Sequence, residues 1–189
     1  MRRPVIVLVA AALLAGCGNE RTSVPELGLI PAPKGFRQAY FDEQGVRFRV
    51  PTNWRIVPGE GTHLATVAIG DAQVGIWRYP RTEPLPETRE QLDAARQAVV
   101  AQIESRDPTF KLKSTRLVIK EGLRAVEVLG VGTNLSNSNA RRSIRSLHAY
   151  GRGAEVVMDA FAPPKVFRRV DEQTFAPMTR SLRLRTPKG

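Results

Sequence analysis

Residues 63–79 read HLATVAIGDAQVGIWRY and contain two runs of mostly apolar side chains. Gly70-Asp71-Ala72 lies between the runs and has the composition of a tight turn. The segment therefore predicts two antiparallel strands, His63–Ile69 and Gln73–Tyr79, joined as a hairpin. Prolines at positions 80, 84 and 86 follow, and they predict that the regular structure is interrupted there.

A helix is predicted after these prolines. Thr88 and Gln91 match the two ends of a capping box, in which each side chain accepts a hydrogen bond from the other residue's backbone N–H. Asp107-Pro108 is expected to end the helix. Apolar residues recur between these limits at helical spacing, which predicts a helix covering one side of a sheet: Leu92, Ala95, Val99, Val100 and Ile103.

Most of the remaining chain is predicted to form strands. Residues 46–50 alternate apolar side chains with arginines, the two-residue period of a half-buried strand. Trp54 is expected to pack against the end of that strand. Ile144, Leu147 and Tyr150 are expected on the inner face of a later strand. Four segments predict four further strands, the last two joined around Gly151-Arg152-Gly153: 110–119, 123–131, 141–150 and 155–161.

The carboxyl-terminal part predicts a second helix. Ala162-Pro163-Pro164 is expected to open it, because proline is tolerated in the first turn. Pro177 is expected to bend or restart the helix, and residues 181–185 are expected to form a short edge strand. One stripe of side chains is predicted to be buried: Phe167, Val170, Thr174, Phe175 and Met178.

This order of elements predicts an α+β fold in which an antiparallel β-sheet is flanked by helices. The order is similar to that of the Mog1/PsbP-like fold, which includes bacterial DcrB-type and LpqN-type lipoproteins. The resemblance covers roughly residues 36–186 and implies an α/β/α sandwich that binds other proteins or envelope components without a shared catalytic motif. Three short motifs carry it: Phe48-Arg49-Val50-Pro51 with Trp54, Gly122-Leu123-Arg124-Ala125, and Ala162-Pro163 with Phe167, Phe175 and Ser181-Leu182.

The amino terminus predicts export and lipid attachment. Arg2 and Arg3 precede an apolar run that is shorter than the ~20 residues of a membrane-spanning helix. This pattern is typical of a secretory signal peptide. Leu14-Ala15-Gly16-Cys17 resembles a lipobox, which implies cleavage before Cys17 and a diacylglycerol on its thiol. The alternative is a free thiol behind an ordinary signal peptide.

Three regions are predicted on this basis. Residues 1–16 are the signal peptide, and residues 17–35 are the acylated cysteine with a flexible tether, in which Pro25, Pro31 and Pro33 disfavour a helix or a central strand. Residues 36–186 form a single domain. The protein is expected on the exported side of the cell membrane or the outer membrane.

The charge is strongly positive and lies mostly after residue 110. The chain has a net charge of +11, and loss of Arg2 and Arg3 with the signal would leave about +9. An exported lipoprotein rarely meets nucleic acid, so anionic lipid headgroups or wall polymers are the expected partners. The alternative is a solvated surface without a ligand. Seven residues are predicted to form the anion-binding patch: Arg141, Arg142, Arg145, Arg152, Lys165, Arg168 and Arg169.

No motif in the sequence indicates catalysis, a metal or a cofactor. His63 and His148 are far apart, no paired metal-ligand motif occurs, and no nucleophile elbow is present. His148 is expected to be packed or hydrogen-bonded, and Asp171 is expected on a helix surface. We therefore predict a non-catalytic envelope module that binds another protein or an anionic component. The alternative is an envelope hydrolase, for which Ser146 and His148 are the residues to test.

The lipid anchor leads to a first prediction. Two acyl chains hold a protein stably on a bilayer, because each buried methylene contributes ~0.8 kcal/mol. Cys17→Ser should therefore leave an unacylated protein that is soluble or unprocessed. Fractionation of cell membranes measures this, and unchanged membrane partitioning of the variant would show that Cys17 is not acylated.

Overall fold

The computed structural model describes residues 30–120, 122–133, 135 and 140–188. The predicted signal peptide, Cys17 and the tether up to residue 29 lie outside the described residues, so lipid attachment stays a prediction. No helix in the described ranges is both long and apolar enough to cross a membrane.

The described residues form ten strands: β1 (Phe36–Phe41), β2 (Val46–Pro51), β3 (Arg55–Pro58), β4 (His63–Ile69), β5 (Ala72–Pro80), β6 (Lys111–Lys120), β7 (Leu123–Gly132), β8 (Arg142–Gly151), β9 (Ala154–Ala162) and β10 (Arg183–Leu184). Seven of them form one antiparallel sheet in the order β3-β4-β5-β9-β8-β7-β6. The other three form a small antiparallel sheet in the order β1-β2-β10. The predicted hairpin of residues 63–79 is confirmed as β4 and β5.

The first helix, α1 (Arg89–Arg106), covers part of one face of the large sheet. Its capping box is confirmed, because the Gln91 N–H donates to Thr88 Oγ1 at 3.2 Å and the Thr88 N–H donates to Gln91 Oε1 at 3.1 Å. The predicted apolar stripe packs against side chains of β7 and β8, including Val126, Val128 and Ile144.

The second helical region covers the opposite face together with the small sheet. It consists of α2 (Pro164–Val170), a π-helical segment (Asp171–Phe175) and α3 (Ala176–Ser181). The prediction that Pro177 restarts the helix agrees with its place in the first turn of α3. Phe175 is fully buried and meets Trp54 edge to face, with ring centroids 6.1 Å apart. This layer therefore contains the larger of the two apolar cores.

The predicted α+β fold with antiparallel strands and flanking helices is confirmed, with three corrections. The predicted single sheet is two sheets, and β1 and β3 were missed because they bury too few side chains to show an apolar alternation. Ile144 and Tyr150 face α1 while Leu147 faces the other core, since β8 is buried on both faces. Ile30 is also buried in the larger core, and the domain bounds of residues 36–186 stay a prediction.

Candidate functional site

The predicted basic patch is not one surface, and Arg145 does not belong to it. Arg145 is only 7% exposed, because β8 is covered on both faces. Its Nη1 donates to Glu127 Oε2 at 2.5 Å, and its Nε donates to Asp171 Oδ1 at 2.6 Å. Asp171 is accordingly a buried ion-pair partner, and its predicted place on a helix surface is wrong.

Two further members of the predicted patch are unavailable to it, Arg152 because of its distance and Arg142 because of its contacts. Arg152 lies in the turn between β8 and β9, and the ten residues of β8 place it roughly 30 Å from Arg141 at the other end of the strand. Arg142 is half-buried and lies 3.8 Å from a carboxylate oxygen of Asp71. Arg141, Lys165, Arg168 and Arg169 are exposed, and they are the part of the predicted patch that the fold leaves available.

A different arginine cluster lines a groove between the small sheet and α3. Because side chains alternate across a strand, Arg47 and Arg49 of β2 point away from the core that Val46, Phe48 and Val50 enter. Arg183 of β10 pairs with Arg47 across the sheet. We call this cavity of about 610 Å³ the arginine groove, and its lining is Phe36, Gln38, Arg47, Arg49, Pro177, Arg180, Ser181 and Arg183.

The arginine groove carries positive charge without nearby counter-charges. In the described part of the chain, none of Arg47, Arg49, Arg180 and Arg183 forms an ion pair with a carboxylate. The Arg49 guanidinium lies 5.5 Å from the centre of the Phe36 ring, which holds it over the groove without neutralising it. Arg183 Nη1 donates to the carbonyls of Arg180 and Leu182 at 3.1 and 2.8 Å, which uses part of its hydrogen-bonding capacity. Guanidinium groups without carboxylate partners on one concave surface can bind phosphate or carboxylate groups.

A cluster of polar side chains lies on the face of the large sheet that α1 partly covers. Ser146 Oγ donates to Asp159 Oδ1 at 2.5 Å, because the two residues are directly opposite each other on β8 and β9. His148 Nδ1 contacts Glu155 Oε1 at 2.7 Å, and the Arg81 guanidinium also binds Glu155. The prediction that His148 is hydrogen-bonded is therefore confirmed.

The two carboxyl groups of this cluster have opposite pKa shifts. Burial alone would raise the pKa of Glu155, but the hydrogen bonds from His148 and Arg81 outweigh it and hold the pKa below its ordinary value. Burial raises the pKa of Asp159, and the charge of His148 and the hydrogen bond from Ser146 offset this only in part. Glu155 is thus held ionised while ionisation of Asp159 is opposed.

The hydrogen bonds of Ser146 and His148 argue against the alternative that these two residues form a hydrolase site. A serine nucleophile requires a hydrogen bond to its base, but the Ser146 hydroxyl binds the Asp159 carboxyl group instead of His148. The residues that the structure describes include no group of histidine, cysteine and acidic side chains that could hold a metal ion. Ser146 and His148 are therefore neighbours within a polar network, and their arrangement is not that of a nucleophile and its base.

Comparisons with known proteins define the fold. No protein-family model and no curated protein matches the sequence. Cyanobacterial PsbP (CyanoP) from Synechocystis sp. is similar in structure, with a TM-score of 0.60 and 12% identity over 91% of this chain and 99% of that chain. LpqN of Mycobacterium tuberculosis, described as involved in cell envelope biogenesis, has a TM-score of 0.52 and 13% identity over 78% and 89%.

The Ran-binding protein Mog1p of Saccharomyces cerevisiae is also similar, with a TM-score of 0.49 and 8% identity over 79% of this chain and 95% of that chain. At such low identities a likeness extends to the fold and no further. The matches to CyanoP and LpqN cover most of the described chain and nearly the whole of each solved structure. The protein therefore has a Mog1/PsbP-like fold.

The buried ion network around Arg145 leads to a stability prediction. Arg145→Met should lower the free energy of unfolding by about 3–5 kcal/mol, because it leaves the carboxylates of Glu127 and Asp171 buried without their common partner. Arg141→Met is the matched control on an exposed side chain and should change it by about 0.5 kcal/mol or less. Urea denaturation measures both, and equal stabilities would show that the network adds nothing.

Asp159 leads to a prediction on pH dependence. The native state keeps the proton of Asp159 to a higher pH than the unfolded chain does, so this group's contribution to stability falls as pH rises above its ordinary pKa of 3.8. Asp159→Asn removes the ionisation and keeps an acceptor for Ser146. Its melting temperature relative to wild type should therefore increase from pH 4 to pH 8.

The exposed carboxylate Glu172 provides the control for that series. The melting temperature of Glu172→Gln should stay close to that of wild type at each pH of the series, because the side chain is exposed. If the melting temperatures of Asp159→Asn and wild type differ by the same amount at every pH, the predicted effect of burying Asp159 is contradicted.

Proposed function

We propose that this protein is a lipid-anchored, non-catalytic envelope protein that binds a phosphate-bearing component of the envelope through the arginine groove. The observation that carries the proposal is the convergence of Arg47, Arg49, Arg180 and Arg183 on one concave surface without carboxylate partners in the described chain. The fold it shares with LpqN, a protein involved in cell envelope biogenesis, supports an envelope role.

With a lipid anchor, even a modest affinity of the arginine groove for its ligand is sufficient for binding at the membrane. Each basic group near an anionic surface contributes ~1 kcal/mol, so four arginines alone support only weak binding. A tethered domain meets its ligand at an effective concentration of about millimolar, which converts weak contacts into stable attachment. Between Cys17 and Ile30 the chain can extend at most about 45 Å, which limits how far Ile30 can lie from the membrane surface.

The exposed remainder of the predicted patch is a second candidate surface for the same ligand. Arg141, Lys165, Arg168 and Arg169 lie at the end of the large sheet where β8 begins and β9 ends. Arg169 donates to the Ile30 carbonyl at 3.2 Å, so part of its hydrogen-bonding capacity is already used. The arginine groove is favoured because it is concave and presents its charges from two sides.

Two triple variants with the same change in net charge test the proposal. One changes Arg49, Arg180 and Arg183 to Glu, and the other changes Arg141, Lys165 and Arg168 to Glu; all six side chains are exposed. Both are made in the mature chain carrying Cys17→Ser, so that no acyl chain contributes to binding. Co-sedimentation with vesicles of phosphatidylcholine, with and without phosphatidylglycerol, measures lipid binding, and titration with inorganic polyphosphate measures binding to a free polymer.

The unaltered groove should bind the anionic vesicles or polyphosphate at low salt and release them as salt rises. The groove variant should bind about a hundredfold more weakly, as the loss of three contacts of ~1 kcal/mol implies, while the second variant should bind nearly as well as the parent. Equal loss in both variants, or no binding by the parent at low salt, would refute the groove as the site. Far-ultraviolet circular dichroism checks that the variants are folded.

A further inference from the structure

The α1 face of the large sheet is only partly covered. Seven strands at a spacing of about 4.8 Å make a sheet roughly 29 Å wide, whereas one helix with its side chains is about 10–12 Å across. The helix α1 packs on β6 and β7, at one side of the sheet. The neighbouring strands β9, β5 and β4 therefore extend beyond the edge of α1, and a step forms between the helix and the uncovered part of the sheet.

A cavity of about 580 Å³ occupies this step, and its size is within the range of small-molecule sites. Its base carries the buried polar groups His148 and Glu155. A purely structural sheet face would be expected to carry apolar side chains at such positions, because burying polar groups has a free-energy cost. The complete lining is Trp77, Tyr79, Pro80, Arg81, Gln102, Arg106, His148, Glu155, Val157 and Asp159.

Trp77 supplies a flat aromatic wall. Its indole lies along β5 over Gly75, and a Cβ at residue 75 would overlap the six-membered ring, so only glycine permits this position. The His63 ring on β4 supports Trp77 from the side, with ring centroids 5.2 Å apart. Trp77 is half-buried, so part of its ring remains available to a ligand in the cavity.

Arg106 is an exposed cation of the cavity that forms no ion pair with a described carboxylate. Glu155 is ion-paired with Arg81 and contacts His148. Burial raises the pKa of Asp159, and the positive charges of His148 and Arg106 and the hydrogen bond from Ser146 offset this only in part. Arg106 makes no ion pair within the described ranges, and its one hydrogen bond is a long contact of 3.4 Å from Nε to the Gln102 carbonyl.

Two neutral donors lie beside Arg106. The side-chain amide of Gln102 also lines the cavity and has no hydrogen bond to a described residue. Burial raises the pKa of Tyr79, so its hydroxyl keeps its proton and can donate. The charge and the donors together favour an anionic group at this end of the cavity.

We propose that this cavity binds a small carboxylate that carries a flat ring, with the carboxylate on Arg106 and Gln102 and the ring against Trp77. The site is separate from the arginine groove, because it lies on the opposite face of the large sheet and shares no lining residue with it. It accepts one compact anion, whereas the arginine groove presents four cations to an extended one. The inference does not rest on the proposed function.

Benzoate and benzamide test the proposal as probes of nearly equal shape and different charge. Nitrogen-15 spectra of the mature chain with Cys17→Ser contain one indole N–H signal from Trp77 and one from the buried Trp54, which serves as an internal control. Trp77→Phe assigns the two signals. Benzoate should shift the Trp77 signal in a saturable manner and leave Trp54 unchanged, and benzamide should bind about tenfold more weakly because it lacks the charge.

Arg106→Gln should weaken benzoate binding by about tenfold and leave benzamide binding unchanged. Arg89→Gln is the matched control, since Arg89 is an exposed arginine on the same helix about 26 Å away along its axis. Equal affinity for benzoate and benzamide, no effect of Arg106→Gln, or no saturable shift at Trp77 would each overturn the proposal. Unchanged dispersion of the backbone signals establishes that each variant is folded.

Discussion

The structure depends on one constraint, which is that a seven-stranded antiparallel sheet must be covered on both faces. The central strands β8 and β9 are buried on each side, so their backbone groups are paired within the sheet and their side chains need two separate covering layers. The small sheet with α2 and α3 covers one face, and α1 covers part of the other. Both candidate binding sites lie where one of these layers ends.

The ion network of Arg145 joins three elements that are distant in sequence. Arg145 on β8 binds Glu127 on β7 and Asp171 at the start of the π-helical segment. A buried guanidinium would be strongly unfavourable without these carboxylates, so the ion pairs favour this arrangement of the three elements. The other end of the π-helical segment is held by Phe175, which packs between Trp54 and Phe167. This layer in turn positions α3 and its Arg180 at the edge of the arginine groove.

CyanoP and LpqN have 12% and 13% identity to the chain, so the likeness extends to the fold alone and the candidate sites are defined by side chains of this protein. Those side chains divide into two chemically different sites. The arginine groove has mostly exposed cations with little desolvation, which suits a weak and salt-sensitive contact with an extended anion. The α1-face cavity has buried, hydrogen-bonded groups beside one exposed arginine without an ion pair, which suits a smaller ligand.

The sequence by itself was enough to predict the fold class and most elements, because apolar periodicity and turn residues are local signals. The hairpin of β4 and β5, the capped helix α1 and the buried stripe through Phe175 were all predicted from such patterns. The strands β1 and β3 were not, because they bury few side chains and are held mainly by pairing with neighbouring strands. The sequence shows Arg47 and Arg49 alternating with apolar residues. It does not show that these two side chains line one groove together with Arg180 and Arg183. Which charges stay in solvent was decided by the tertiary structure, since Arg145 and Arg141 lie in the same basic run and only packing buries one and exposes the other.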